Sequence, residues 1–192
     1  MNILITGGAG YIGSITSNKL NALGHKVIVL DDLSEGKKES VSKLTFYKGN
    51  YGDEKLILHI LTSHSIDTVM HFGASSNVKE STSNPELYYH NNVINSLKLL
   101  KSCREYRKLN PLKFIFSSTA AVYGESEKEI IKENQVQNPV NPYGRSKLMV
   151  EQALKDYYKY YKEEYLIFRF FCVAGATKNN GESRQSKETH LI

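Results

Sequence analysis

The reading turns on the first thirteen residues, Met1-Asn2-Ile3-Leu4-Ile5-Thr6-Gly7-Gly8-Ala9-Gly10-Tyr11-Ile12-Gly13. Ile3, Leu4 and Ile5 form a short apolar run that predicts a buried strand. Gly7, Gly10 and Gly13 follow at three-residue spacing, and residues 15–23 can continue as a helix. A strand that turns through glycines straight into a helix aims free backbone N–H groups at one point. The helix dipole adds partial positive charge there, which suits a diphosphate. The glycines allow the tight turn, the close approach of a ligand and the packing of helix on strand. A glycine trio alone is weak evidence; its place between strand and helix gives it weight.

Outward from this loop, strand-like and helix-like runs alternate, which predicts a doubly wound parallel sheet of α/β class, covered on both faces. Residues 26–30 are the second strand, ended by Asp31 and Asp32, with Asp31 18 residues after Gly13. That is close to the spacing at which an acid meets the ribose of a dinucleotide. A carboxylate there accepts bonds from both ribose hydroxyls and repels a 2′-phosphate, which favours NAD over NADP. Residues 34–42 read as a polar loop and 43–47 as a third strand, ending at Asn50 and Tyr51 near an adenine. Asp53 is placed to cap a helix over 54–64. Residues 67–72 are the fourth strand, His71 packing against the sheet, and the small Gly73-Ala74-Ser75 lets a cofactor pass close by.

Ser83 or Asn84 is expected to cap a long helix that starts at Pro85. Ile94, Leu97, Leu100 and Cys103 mark its expected buried stripe, while Asn91 and Asn92 suit exposed amides or a contact beneath the cofactor equally well. Residues 113–116 are the fifth strand, followed by the hydroxyls of Ser117, Ser118 and Thr119 and a loop to about Asn141. Pro142 starts the last helix, with Tyr143, Lys147, Val150, Leu154, Tyr157 and Tyr161 on one face. Residues 165–171 are the sixth strand, running into Cys172. Each motif follows a strand, so in a parallel sheet all of them lie along one edge, where ligands of open α/β sheets bind.

Tyr143 and Lys147 are i and i+4 and share a helix face. A free tyrosine has a pKa of about 10 and is a poor base at neutral pH. A nearby ammonium and a positively charged nicotinamide would favour the phenolate. Such a tyrosine could take a proton from a sugar hydroxyl held by Thr119 as hydride leaves the same carbon. A Tyr-x-x-x-Lys pair is common in any helix; its place after a nucleotide fold and a hydroxyl cluster makes it a candidate.

Composition adds mild limits. With 192 residues the chain can bury a substantial core. Its net charge of +5, from 25 basic and 20 acidic residues scattered along it, reads as a solvated surface and not as nucleic-acid binding. Cys103 and Cys172 have no metal-ligand spacing and suggest a reducing, cytoplasmic setting. No run is apolar enough to cross a bilayer, and the first strand leaves no room for a cleavable signal.

Thr-Gly-Gly-Ala-Gly-Tyr-Ile-Gly-Ser, Asp-Thr-Val-Met-His-Phe, Asn91-Asn92-Val93, Phe-Ser-Ser-Thr-Ala-Ala-Val-Tyr-Gly, Asn-Pro-Tyr-Gly-Arg-Ser-Lys-Leu-Met-Val-Glu and Val-Ala-Gly-Ala together resemble the UDP-glucose 4-epimerase family of extended short-chain dehydrogenases/reductases. The resemblance covers essentially the whole chain. It implies a Rossmann-type domain over 1–176 with tightly held NAD, and interconversion of UDP-glucose and UDP-galactose through a 4-keto sugar. It implies that Tyr11 and Ile12 meet the diphosphate and Asp31 the ribose. Phe72, Gly73, Ala74, Ser76 and Asn91 would line the cofactor, and Phe171 would lie beside the nicotinamide. Thr119, Tyr143 and Lys147 would be the catalytic set, with Thr119, Tyr143 and the residue at Cys172 touching the sugar nucleotide. A homodimer is left open.

Three residues depart from the pattern. Asn50 stands for a usual Asp, Thr119 for a frequent Ser, and Cys172 for an Asn that contacts the sugar nucleotide. Cys is a poor hydrogen-bond partner. Family members are also longer: residues 177–192 read as the start of a smaller substrate region that is mostly missing. A non-catalytic NAD-binding remnant is therefore an alternative. A related dehydratase or decarboxylase is disfavoured, because Ala120 and Ala121 stand where those usually have an acid.

Asp31 yields the first prediction. Nucleotide released from the denatured protein should be NAD by mass spectrometry; a predominance of NADP would overturn the assignment of Asp31 to the ribose.

Overall fold

The computed structural model describes residues 1–125, 130–177 and 180–182. Among them, six strands form one sheet: β1 Asn2–Thr6, β2 Lys26–Asp31, β3 Thr45–Lys48, β4 Thr68–His71, β5 Lys113–Thr119 and β6 Tyr165–Phe170. The order is β3-β2-β1-β4-β5-β6, with every neighbouring pair parallel. Because the order reverses between β1 and β4, the chain leaves a crevice at the C-terminal ends of those two strands.

Alternation along the strands divides the core. Leu4, Ile28, Leu30, Val69, Phe114 and Phe116 face one way and pack with Ile57 and Leu61 of α2 (Glu54–Ser63), Leu99 and Leu100 of α5 (Asn95–Arg107), and Val150 and Leu154 of α6 (Pro142–Tyr161). Ile3, Ile5, Val27 and Val29 face the other way, toward Leu20 of α1 (Tyr11–Ala22) and toward Val41 in a 3₁₀ turn at Lys38–Val41. Leu166 and Phe168 of β6 remain half exposed.

Local chemistry sets the helix ends. Asp53 Oδ1 accepts the N–H groups of Lys55 and Leu56, capping α2. Asn141 Oδ1 accepts from Gly144 N and Pro142 occupies the first turn of α6, where its missing N–H costs nothing. Asn77 caps a short helix, α3 (Val78–Ser83), in a stretch to which the sequence reading assigned no element.

The long helix expected from Pro85 is a composite. Asn84 caps α4 (Pro85–Tyr88), a π-helical turn follows at Tyr89–Ile94, and α5 continues from it. Its expected stripe is corrected: Leu100 and Cys103 are buried, whereas Ile94 and Leu97 are exposed. The buried face also carries Asn92, Asn95, Ser96 and Ser102, small polar residues that find hydrogen bonds inside, so apolar residues alone set the wrong phase. Elsewhere β5 runs on to Thr119, so its three hydroxyl residues belong to the strand and do not follow it. The expected loop after it opens with a 3₁₀ turn at Ala120–Tyr123, the third strand is shifted to Thr45–Lys48, and β6 ends at Phe170, leaving Phe171 outside it. Tyr161 is exposed at the end of α6.

A methyl group on Gly13 would lie 2.2 Å from the Gly7 carbonyl oxygen and 2.8 Å from Gly8 Cα, both backbone atoms. Gly13→Ala should therefore cost roughly 1–3 kcal/mol, the usual range for overpacking. It should appear as a lower urea midpoint at unchanged slope.

Candidate functional site

The turn from β1 into α1 has the form its glycines require. Gly7 adopts φ +68°, and Gly10 N donates to Gly7 O at 3.3 Å. No side chain caps α1 and its first turn carries no acid, so the opening N–H groups face the crevice without a built-in anion. Tyr11 OH donates across the opening to the carbonyl of Gly175.

Asp31 ends β2 beside this loop and is buried, its Oδ2 accepting from Ala9 N at 2.9 Å and its Oδ1 from Leu33 N at 2.8 Å. Burial raises its carboxyl above the usual range, and those two N–H groups oppose the shift. The carboxylate retains lone-pair capacity for a further donor. Asp32 is exposed and accepts from Ser34 N and Oγ at 3.0 and 2.7 Å. Asn50 Oδ1 accepts from Gly52 N at 2.7 Å and its amino group points to Asp32 Oδ2 at 3.4 Å. Tyr51 lies beneath Gly73, with its hydroxyl donating to Asn91 O at 2.7 Å. That hydroxyl is committed to the protein, so Tyr51 meets the crevice through its ring.

The reaction side is built by β5 and α6. Thr119 Oγ1 accepts from Ala121 N at 3.2 Å and caps the following 3₁₀ turn. Tyr143 packs edge-on against Tyr88 with ring centroids 6.3 Å apart. One turn on, Lys147 donates from Nζ to Ser117 O at 2.8 Å and lies over the Phe116 ring at 4.9 Å. Burial pushes Lys147 down to about 7, with the Glu151 carboxylate opposing the shift. Glu151 is itself buried, accepting from Ser118 Oγ and from Arg169 Nη2 at 2.7 Å. His71, enclosed between Thr6 Oγ1 at 2.6 Å and Ser96 Oγ at 2.9 Å, is held well below the ordinary imidazole range by burial and by the nearby Lys147 charge.

These groups share one cleft of about 840 Å³ at the C-terminal edge of the sheet. It is lined by Gly7, Gly10, Tyr11, Ile12, Gly13, Asp31, Asp32, Asn50, Tyr51, Phe72, Gly73, Ala74, Ser76, Asn91, Thr119, Tyr143, Lys147, Phe171 and Cys172. Every site residue expected from the sequence therefore reaches it. Phe171 and Cys172 are exposed at its rim. The size is within the span of ligand pockets, about 300–1,000 Å³. An uncapped helix start, a shielded carboxylate and a glycine floor fit a dinucleotide. The small Gly73-Ala74-Ser75 loop lines it as expected, whereas the sequence reading missed Asn95, and Ser117 and Ser118, as lining residues; the last two were visible as part of the hydroxyl run. It also missed Glu151 and Arg169, whose pairing needs β6 beside β5. Residues 183–192, assigned to the start of a substrate region, lie outside the described residues. Among the described residues no cluster of side chains could hold a metal ion, and no helix is long and apolar enough to cross a membrane.

The sequence model of the NAD dependent epimerase/dehydratase family matches residues 3–192. The chain is 46% identical to a UDP-glucose 4-epimerase of Halalkalibacterium halodurans over all of its own length and 57% of the relative's. It superposes with a TM-score of 0.93 and 39% identity on the Brucella ovis UDP-glucose 4-epimerase in complex with NAD, covering 99% of this chain and 58% of that one. It superposes with a TM-score of 0.89 and 32% identity on the Bifidobacterium longum UDP-glucose 4-epimerase in complex with NAD+ and UDP, covering 97% and 58%. The chain thus spans a little more than half the length of these relatives.

Unfolded, a lysine titrates near 10.5, whereas Lys147 folded titrates near 7. Between those values the unfolded chain holds the proton and the folded chain does not. Stability attributable to this group is therefore complete above the upper value and is lost as pH falls toward the lower. Lys147→Met should flatten the rise of Tm with pH across this window; equal slopes in the two proteins would show that Lys147 keeps its charge when folded.

Proposed function

The chain belongs to the NAD dependent epimerase/dehydratase family, and from that premise we propose that it carries the cofactor and proton-transfer side of a UDP-hexose 4-epimerase. The observation that carries this reading is the convergence of Thr119, Tyr143 and Lys147 with the glycine loop and Asp31 in one cleft. Residues 1–176 are proposed to be the NAD-binding unit and 177–192 the start of the substrate region.

The N–H groups at Tyr11 and Ile12 would hold the diphosphate, and Asp31 would accept from the ribose. Asp32, Asn50 and the ring of Tyr51 would lie at the adenine end. Phe72, Gly73, Ala74, Ser76 and Asn91 would form the middle of the seat, and Phe171 would close the nicotinamide end. Bound NAD supplies the acceptor, and later the donor, of a hydride.

The chain's own residues handle the proton. Thr119 holds the sugar 4-hydroxyl toward Tyr143. Tyr143 removes its proton and returns one after the sugar has presented its other face. Lys147, one helical turn away and anchored on Ser117 O, supplies in its protonated form the positive charge that favours the phenolate. UDP-glucose and UDP-galactose are the proposed substrates, in keeping with the names of the relatives. Cys172, a weak hydrogen-bonding group at the rim, favours a binding-only role.

The test is Tyr143→Phe in a version extended to the length of the relatives. NAD should remain bound while turnover of UDP-galactose falls by about 10²–10⁴, the usual contribution of a general acid–base group. Near-normal turnover would remove Tyr143 from the mechanism. A parent protein that binds NAD and turns over nothing would put the binding-only role in its place.

A further inference from the structure

Asp32 and Asn50 follow the neighbouring strands β2 and β3, whose ends pair Asp31 with Lys48, and both line the cleft. Asn50 has one orientation. Its Oδ1 accepts from Gly52 N at 2.7 Å, and the reversed amide would set its NH₂ against that N–H. Its backbone is held as well, because Asp53 N donates to Asn50 O at 3.0 Å. The amino nitrogen Nδ2 is therefore the outward atom. One of its hydrogens reaches Asp32 Oδ2 at 3.4 Å, a long contact, and the other has no partner among the described residues. Asp32 is fixed in turn. Its Oδ1 takes Ser34 N at 3.0 Å and Ser34 Oγ at 2.7 Å, which leaves Oδ2 toward Asn50. A donor and an acceptor thus stand side by side at the cleft wall, each side chain held from behind by a backbone N–H.

Purines differ in what they offer such a wall. A 6-aminopurine such as adenine has N–H donors on C6 and an acceptor at N1. A 6-oxopurine such as hypoxanthine has a carbonyl acceptor on C6, as guanine does, and an N–H donor at N1. Carboxylates alone complement the C6 amino group and oppose the C6 carbonyl, because an ionised carboxylate only accepts. A donor beside an acceptor complements both bases. Asp32 Oδ2 can take whichever N–H the base presents, and Asn50 Nδ2 can meet whichever lone pair it presents.

We propose that Asn50 and Asp32 together set the base specificity of the cofactor site, and that the site admits a 6-oxopurine dinucleotide about as readily as NAD. This rests on the reading of the cleft as an NAD site. The tolerance depends on Asn50. An aspartate at that position would keep the bond from Gly52 N and replace the outward donor with a second acceptor. A C6 carbonyl would then face two carboxylates and no donor, and its dinucleotide should bind at least about tenfold more weakly than NAD.

The experiment measures by calorimetry the affinity of the 192-residue chain for NAD and for nicotinamide hypoxanthine dinucleotide, which differs from NAD only at the purine. Asn50→Asp and Asn50→Ala are compared with it. The readout is the ratio of the two affinities within each protein, so the added charge of Asn50→Asp, which acts on both diphosphates alike, cancels. The unaltered chain should bind the two dinucleotides within about fivefold of one another, and Asn50→Asp should prefer NAD by more than about tenfold. Asn50→Ala, which loses the donor without gaining an acceptor, should also favour NAD, though less. A larger preference for NAD in the unaltered chain would overturn the proposal whatever the variants do, as would an unchanged ratio in Asn50→Asp. Binding of neither dinucleotide by the unaltered chain would instead sink the reading of the cleft as an NAD site, and the base specificity with it.

Discussion

Gly7 and Gly73 meet backbone to backbone where β1 and β4 end, and the rest of the cleft is arranged around that contact. A Cβ on Gly7 would lie 2.4 Å from Gly73 N, and one on Gly73 would lie 2.8 Å from the Tyr51 ring. Below them Tyr51 hands its hydroxyl to Asn91. Glycine, glycine, aromatic ring and amide form a stack from the first strand to the helix behind the sheet, with no room for another side chain. The floor of the cleft is therefore backbone, and a flat cofactor can lie against it. The strand order places this floor at the crevice between β1 and β4, where the chain turns from one half of the sheet to the other.

Electrostatics at the far side of the cleft depend on how charge is buried. Lys147 gives its proton-bearing nitrogen to a strand carbonyl, while Glu151, four residues along the same helix, is fixed by Ser118 and Arg169. Ser118 and Arg169 are direct neighbours across β5 and β6, so the sheet register itself brings them to the same carboxylate. Buried pairs of this kind add little net stability compared with apolar packing. What this one does is keep an anion one helical turn from the lysine, opposing the desolvation that otherwise drives its proton off.

Much of this was legible along the chain, for identifiable reasons. The loop at Gly7–Gly13, the acid at Asp31, the cap at Asp53, the helix start at Pro142, and the Tyr143–Lys147 spacing are local patterns, each set by a few neighbouring residues. All the expected site residues reach one cleft because parallel strands place their C-terminal ends together. The face of α5 was not legible, because its buried residues include hydrogen-bonded amides and hydroxyls that resemble surface residues in sequence. Glu151 was equally opaque. A glutamate in a helix reads as solvated until the strand carrying Arg169 is known to lie beside the one carrying Ser118. Asn92 was singled out but left undecided, since its partners, Ser75 and Ser146, are 17 and 54 residues away.

The π turn also bears on how this chain can vary. A π turn is an α-helix with one residue too many, absorbed locally so that the segments on either side keep their phase. Loss of a single residue between Tyr89 and Ile94 would return the helix to ordinary geometry, with Leu99, Leu100 and Cys103 still facing the core. Such a chain would fold, yet its amides would no longer close on Ser75. Here one residue separates what the fold needs from what the cleft needs.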